Sequence, residues 1–331
     1  VYQVTVAVTG SMAFDYIMSF PDQFSRHILP DQISRLSVSF LVDSMRRERG
    51  GTAGNIAYNL ALLEQPTLLM ATVGQDAPEY IAGLRARGVD TSGVLLLNDE
   101  FTASFFVSTD QTNNQIALFY TGAMAKARQI SFTKHDHKNI KIAIISPNDP
   151  EAMVKYVQEC RALGIPYIYD PSQQIPRLTP EQLVEGTEGA AVLIVNDYEY
   201  EMIKNRTGLT DADIRQKVDT VIVTRGGTGS HIWYKSSEFL IPVATPTRVA
   251  DPTGVGDAYR AGIISGLMRD YPWEVTGRLG AVVAAYVLEQ HGTQRHNYNR
   301  HQVASRYREL FGSYRRVRSG PAGRCGFSRD W

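Results

Sequence analysis

The chain has 331 residues, 43% of them hydrophobic, and carries 34 Lys and Arg against 34 Asp and Glu. That length is ample for a buried core and fits two domains, or one large α/β unit with an appendage. A formal net charge of zero gives no global attraction to nucleic acid or to an anionic membrane, so neither is expected as a partner and any phosphate site must be local.

Residues 4–9 are β-branched and end at Gly10-Ser11, as a buried strand entering a loop does. The start of the chain alternates and has no basic n-region, which argues against a signal peptide. Polar turns around Pro21-Asp22 and Pro30-Asp31 follow, then an alternating run over residues 36–42 that predicts a strand outside the main sheet. A glycine-rich stretch, residues 50–55, opens a helix over residues 56–63, and residues 67–73 form the next strand. A further helix ends at Gly88. Residues 101–109 and 115–120 read as a hairpin across a polar turn. Strand and helix then alternate: strands over 140–146, 167–170, 190–196 and 220–224, helices over 150–163 and 198–206. This rhythm predicts an α/β fold whose mostly parallel sheet is covered by helices on both faces. The two early β stretches, residues 16–48 and 99–123, are expected to form a small lid, leaving 1–15, 49–98 and 124–311 as the core. The longest apolar run, residues 279–288, is too short to cross a bilayer. Cys160 and Cys325 fit no disulfide framework and suit a reducing, cytoplasmic setting. Residues 312–331 hold five arginines among Gly and Ser, which predicts a mobile tail.

Four stretches carry candidate chemistry. In Asp251-Pro-Thr-Gly-Val-Gly-Asp257, two glycines run into a helix, where backbone N–H groups and the helix dipole make an anion site. A carboxylate there makes sense if Asp257 accepts a proton while the amides hold developing negative charge; a capped helix with Asp257 in its first turn is the plainer alternative. Thr224-Arg-Gly-Gly-Thr-Gly229 follows a strand and suits nucleotide phosphates, or is a hairpin turn. Asn196 and Glu199, where a strand meets a helix, can orient water around Mg²⁺ or cap that helix. Gly50-Gly51-Thr52-Ala53-Gly54-Asn55 lets backbone approach a sugar, with Asn55 and Asp15 facing vicinal hydroxyls, or is a hinge. The histidines at 135, 137, 291, 296 and 301 align on no common face, and Ser172 and Cys160 lack a nucleophile context.

Taken in order, these four stretches resemble the ribokinase or PfkB family of carbohydrate and nucleoside kinases, over about residues 1–311. Within it, Val8-Thr9-Gly10-Ser11, residues 37–43, Phe119-Tyr-Thr-Gly-Ala-Met124, Asp170-Pro-Ser-Gln-Gln174 and Gly292-Thr-Gln294 resemble bacterial adenosine kinases of the mycobacterial type. The resemblance implies a ribokinase-like fold and transfer of phosphate from ATP to the 5′-hydroxyl of adenosine, with a sugar kinase or another purine nucleoside kinase as the alternative. It implies that Asp257 is the base and that Gly254, Val255 and Gly256 form the anion hole. Asp15, Gly51 and Asn55 would hold ribose, Ser11, Ser39, Gln173 and Gln174 the purine, and Phe105 and Phe119 would stack on it. Thr224, Gly226, Gly229 and Asn196 would face ATP, Glu199 would organise Mg²⁺ through water, and Asp251 would help bind a monovalent cation such as K⁺. It also implies a homodimer joined through the lids, with Phe119 able to enter the neighbouring site. The tail after Phe311 departs from the family pattern and is assigned no function.

Overall fold

The computed structural model describes residues 5–28, 34–35 and 37–313. The predicted turn at Pro30-Asp31 and nearly all of the arginine-rich tail lie outside the described residues. In chain order the elements are β1 (Thr5–Thr9), β2 (Ala13–Ser19), β3 (Ser44–Gly50), α1 (Thr52–Leu62), β4 (Thr67–Met70), β5 (Thr72–Gly74), α2 (Pro78–Arg85), β6 (Leu95–Leu97), β7 (Ala103–Thr109) and β8 (Gln115–Tyr120). They continue with β9 (Ile140–Ile145), α3 (Pro150–Leu163), β10 (Tyr167–Tyr169), α4 (Pro180–Thr187), β11 (Val192–Asn196), α5 (Asp197–Thr207), α6 (Asp211–Lys217) and β12 (Thr220–Thr224). The hairpin β13 (Ser230–Tyr234) and β14 (Ser237–Ile241) and the helices α7 (Val255–Met268), α8 (Trp273–Leu288) and α9 (Arg300–Phe311) complete the strands and α-helices among the described residues.

An eight-stranded sheet in the order β14-β13-β12-β11-β10-β9-β1-β4 forms the centre. It is parallel from β12 to β4, and the β13–β14 hairpin adds an antiparallel edge. Alternation along each strand divides the core in two. Val6, Val8, Ile142, Ile144, Ile194 and Ile222 pack with Ile56 of α1 and Ile263 of α7, whereas Ala143, Ile145, Leu193, Val195 and Val223 pack with Tyr156 of α3 and Ile203 of α5. The strands are apolar throughout because both faces are covered, the arrangement expected of parallel sheets. Among the described residues no helix is long and apolar enough to cross a membrane.

A separate four-stranded sheet, β3-β2-β7-β8, stands beside the large one. Two details differ from expectation. The alternating run at residues 36–42 forms no strand where it is described; the strand is β3, whose Arg46, Arg47, Glu48 and Arg49 hide a strand signal behind charge. The alternation instead reflects one anchor, Phe40, whose ring packs edge-on against Phe20 and Phe24, while Arg47 lies over the Phe14 ring at 3.5 Å. Residues 67–73 likewise break at Ala71 into β4 and β5, and β5 pairs with β6 outside both larger sheets.

Candidate active site

A cavity of about 650 Å³ opens where the parallel strands end. Ser11 lies just beyond β1, Pro147 beyond β9 and Asp170 beyond β10, while Asn196 and Thr224 are the last residues of β11 and β12; all five line it. This is the crevice at the carboxyl ends of strands where open α/β sheets bind ligands.

The base of the cavity is the start of α7. Gly254 caps the helix in the left-handed region at φ 79, where only glycine is unstrained, and so turns the loop inward. The first turn of a helix leaves N–H groups without intrahelical partners, and Gly254 and Gly256 both line the cavity. Val255 is not among the lining residues, and its N–H donates to the Pro252 carbonyl at 3.3 Å. Asp257 sits in that first turn and faces the cavity. Burial pushes its carboxyl up to about 6, opposed by the Arg260 charge and by a hydrogen bond from Asn55. Asn55 Nδ2 donates to Asp257 Oδ2 at 2.8 Å, while Asn55 Oδ1 accepts from Gln294 Nε2 at 2.9 Å. Gln294 also donates to the Tyr80 hydroxyl, which donates to the Gly50 carbonyl at 2.9 Å. The network thereby holds the Asn55 amide with its donors toward the Asp257 carboxylate.

The small sheet supplies a second part of the lining. Register places Glu48, Asp15, Phe105 and Phe119 side by side across β3, β2, β7 and β8, so they share one face. Asp15, Phe105 and Phe119 line the cavity. Burial, with Asp257 and Glu48 close by, pushes the Asp15 carboxyl up to about 6. The next row, Tyr16, Phe106 and Leu118, points the other way. Gly51, at φ 86, joins this sheet to α1; a Cβ there would come within 2.7 Å of Met12 Cα.

Asn196 and Glu199 both line the cavity and also form the capping box of α5: Glu199 N–H donates to Asn196 Oδ1 at 2.7 Å and Asn196 N–H to Glu199 Oε2 at 2.8 Å. The other carboxylate oxygen accepts from Ser172 Oγ at 2.9 Å. One carboxylate with a neighbouring amide fits Mg²⁺, which keeps several waters and takes its remaining ligands from phosphate. Among the described residues no group of three or more His, Cys, Asp or Glu is arranged to hold a metal.

Of the remaining sequence-predicted positions, Ser11, Gly51, Gln173 and Gln174 line the same cavity. Ser39 is exposed and lies outside the lining. Gly226 and Gly229 also lie outside it, in the turn joining the antiparallel strands β12 and β13, so that stretch is a hairpin turn whose first residue, Thr224, reaches the cavity. Asp251 is not a lining residue: its two oxygens accept from the N–H groups of Thr253 at 2.9 Å and Gly292 at 3.1 Å, bracing the loop. Sequence reasoning gave no role to Ser172, Arg177, Arg260 or Thr293, which line the cavity, or to Gln294 behind it. Ser172 stands at φ 36, a strained value for a residue with a side chain. Buried histidine is structural here: His296, pushed down to about 4 by burial, is hydrogen-bonded at Nε2 to Asn59 Oδ1 at 2.9 Å.

The sequence pattern of the pfkB family of carbohydrate kinases matches residues 8–299. The chain belongs to that family. This pfkB-family kinase has the ribokinase-like α/β fold and is similar to Burkholderia thailandensis nucleoside kinase in a complex with inosine, at 35% identity and a TM-score of 0.83, over 93% of this chain and 98% of that one. It is also similar to the nucleoside kinase of Methanocaldococcus jannaschii, with 30% identity over 291 residues, 87% of this chain and 92% of the relative. The structure of that archaeal kinase superposes with a TM-score of 0.83.

Proposed function

We propose that this kinase transfers the γ-phosphate of ATP to the 5′-hydroxyl of a purine nucleoside, adenosine foremost. One observation carries the reading: a single cavity is lined by a half-buried carboxylate, a glycine loop and a pair of phenylalanines. A sugar offers hydroxyls alone, whereas a purine offers an aromatic face that Phe105 and Phe119 are placed to stack on. Phe119 lines the cavity of its own chain, so the stacking needs no neighbouring subunit.

A hydroxyl is a poor nucleophile until its proton is taken. Asp257 accepts that proton as the 5′-oxygen attacks, and positioned bases of this kind contribute roughly 10²–10⁴ in rate. Asn55 steadies the carboxylate through its amide donors. The N–H groups of Gly254 and Gly256 face the negative charge on the moving phosphoryl group. Asp15 accepts from ribose hydroxyls beside Gly51. Asn196 and Glu199 are the residues that would hold Mg²⁺ through water, and the ion would supply neutralisation of charge on the phosphate oxygens of ATP.

A second reading is favoured by the 35%-identical relative, whose complex contains inosine. Gln173 and Gln174 carry amides that can donate or accept, so they suit a 6-oxo as well as a 6-amino purine. Initial rates with ATP and adenosine, inosine, ribose or fructose decide among these. Adenosine or inosine should be turned over far faster than either sugar, and a faster rate on ribose overturns the nucleoside reading. We also infer a homodimer through the outer face of the small sheet, supported by Leu118, 70% exposed, and Met45, 63% exposed. Sedimentation velocity at low protein concentration tests it, and a single monomeric species refutes it.

A further inference from the structure

Arg260 lies one turn beyond Asp257 on α7 and is only 7% exposed, yet it lines the cavity. Its Nε and Nη2 donate to the two oxygens of Asp170 at 2.5 and 2.6 Å, a bidentate clamp that fixes the guanidinium plane. The remaining nitrogen, Nη1, lies against the anion loop: a Cβ built on Gly256 would be 2.9 Å from it. Asp170 is itself 1% exposed. A buried ion pair in a cavity wall is a poor stabiliser, since an apolar pair of similar volume is commonly as stable or more so. Its charge, and the direction in which Nη1 points, call for another explanation.

We propose that Arg260 is a catalytic residue whose Nη1 faces the phosphoryl group in transit, beside the amides of Gly254 and Gly256. The proposal rests on the phosphotransferase reading above. In the step concerned, the 5′-oxygen bonds to the γ-phosphorus of ATP, and the bond from that phosphorus to the bridging oxygen breaks with its electron pair going to ADP. The hydroxyl proton goes to Asp257. Arg260 gives up no proton and forms no bond; it offsets negative charge on the oxygens of the phosphoryl group as it passes from ADP to the 5′-oxygen. Asp170 is the positioning residue that aims it.

The test separates this role from mere pairing with Asp170. The double variant D170L/R260M removes both buried charges, so it should unfold near the wild-type temperature and bind ADP within about threefold of wild type, with kcat lowered about 100-fold. A double variant with kcat within about threefold of wild type overturns the proposal. R260K keeps the charge and can pair with Asp170 but cannot present a second nitrogen to Gly256. It should lower kcat at least about tenfold with ADP affinity unchanged, and a wild-type kcat in R260K also overturns the proposal, even if the double variant fails to fold. Wild-type protein without ATP-dependent phosphorylation of any nucleoside or sugar would instead overturn the functional reading.

Discussion

Asn55 and Asp257 are separated by 202 positions in the chain and meet at 2.8 Å, Nδ2 to Oδ2. The hydrogen bond opposes the burial that raises the Asp257 carboxyl to about 6. As a base, Asp257 works only when ionised, so kcat/KM should fall as pH drops through about 6 and level off above about 7. Asp15, also near 6 and close by, titrates in the same window, so the acid limb belongs to the pair. Gln294→Leu frees the Asn55 amide to turn over and removes a donor from the carboxylate. That raises the Asp257 pKa further, so the acid limb should move to higher pH. A pH–rate profile identical to wild type would show that the network does not reach the base.

Asp257→Asn keeps the size of the side chain and removes the carboxylate proposed to take the proton. Turnover should fall roughly 10²–10⁴-fold. ADP affinity, measured by calorimetry, should change by less than about threefold, because the amides of the loop survive the substitution. Substantial residual turnover would remove Asp257 from the role of base.

Phe105→Ala and Phe119→Ala test the aromatic wall. Stacking of a base on an aromatic ring is worth about 1–3 kcal/mol, which predicts a rise of roughly 5- to 150-fold in the KM for nucleoside. The KM for ATP and the weak rate on ribose should stay as they are. An equal rise for ribose would mean that the phenylalanines hold the small sheet together and do not read the base.

Gly254→Ala places a Cβ at φ 79 and within 3.1 Å of Thr293 Cγ2. A left-handed alanine costs about 1–2 kcal/mol, so the thermal midpoint should drop by a few degrees. Because the strain falls on the anion loop, kcat should fall by more than the loss of stability accounts for. A variant that melts lower but turns over normally would separate the loop from the chemistry.

The sequence by itself determined that the large sheet is mostly parallel with helices on both faces, and that a glycine loop runs into a helix at Asp257. β-branched runs ending in Gly-Ser, Asn or Thr mark where parallel strands stop. Asp149 and Gly164 at the two ends of α3, and the Asn196-Glu199 capping box, are signals read within a few residues. The Gly-x-Gly-Asp stretch is local in the same sense: a left-handed cap followed by a helical turn places amides and carboxylate together. Tertiary structure alone decided what faces that loop. Asp170 reaches Arg260 across 90 positions and Gln294 reaches Asn55 across 239, and neither spacing has a period to detect. The row of Asp15, Phe105 and Phe119 depends on strand register, which a one-residue slip would turn outward. Ser39 shows the converse: its alternating neighbourhood predicts a strand, but Phe40 anchors that segment to Phe20 and Phe24, and Ser39 is left exposed outside the cavity. Short-range patterns set each element because helix and strand periods repeat within a few residues. The site is assembled by packing between elements far apart in the chain, and no local period encodes it.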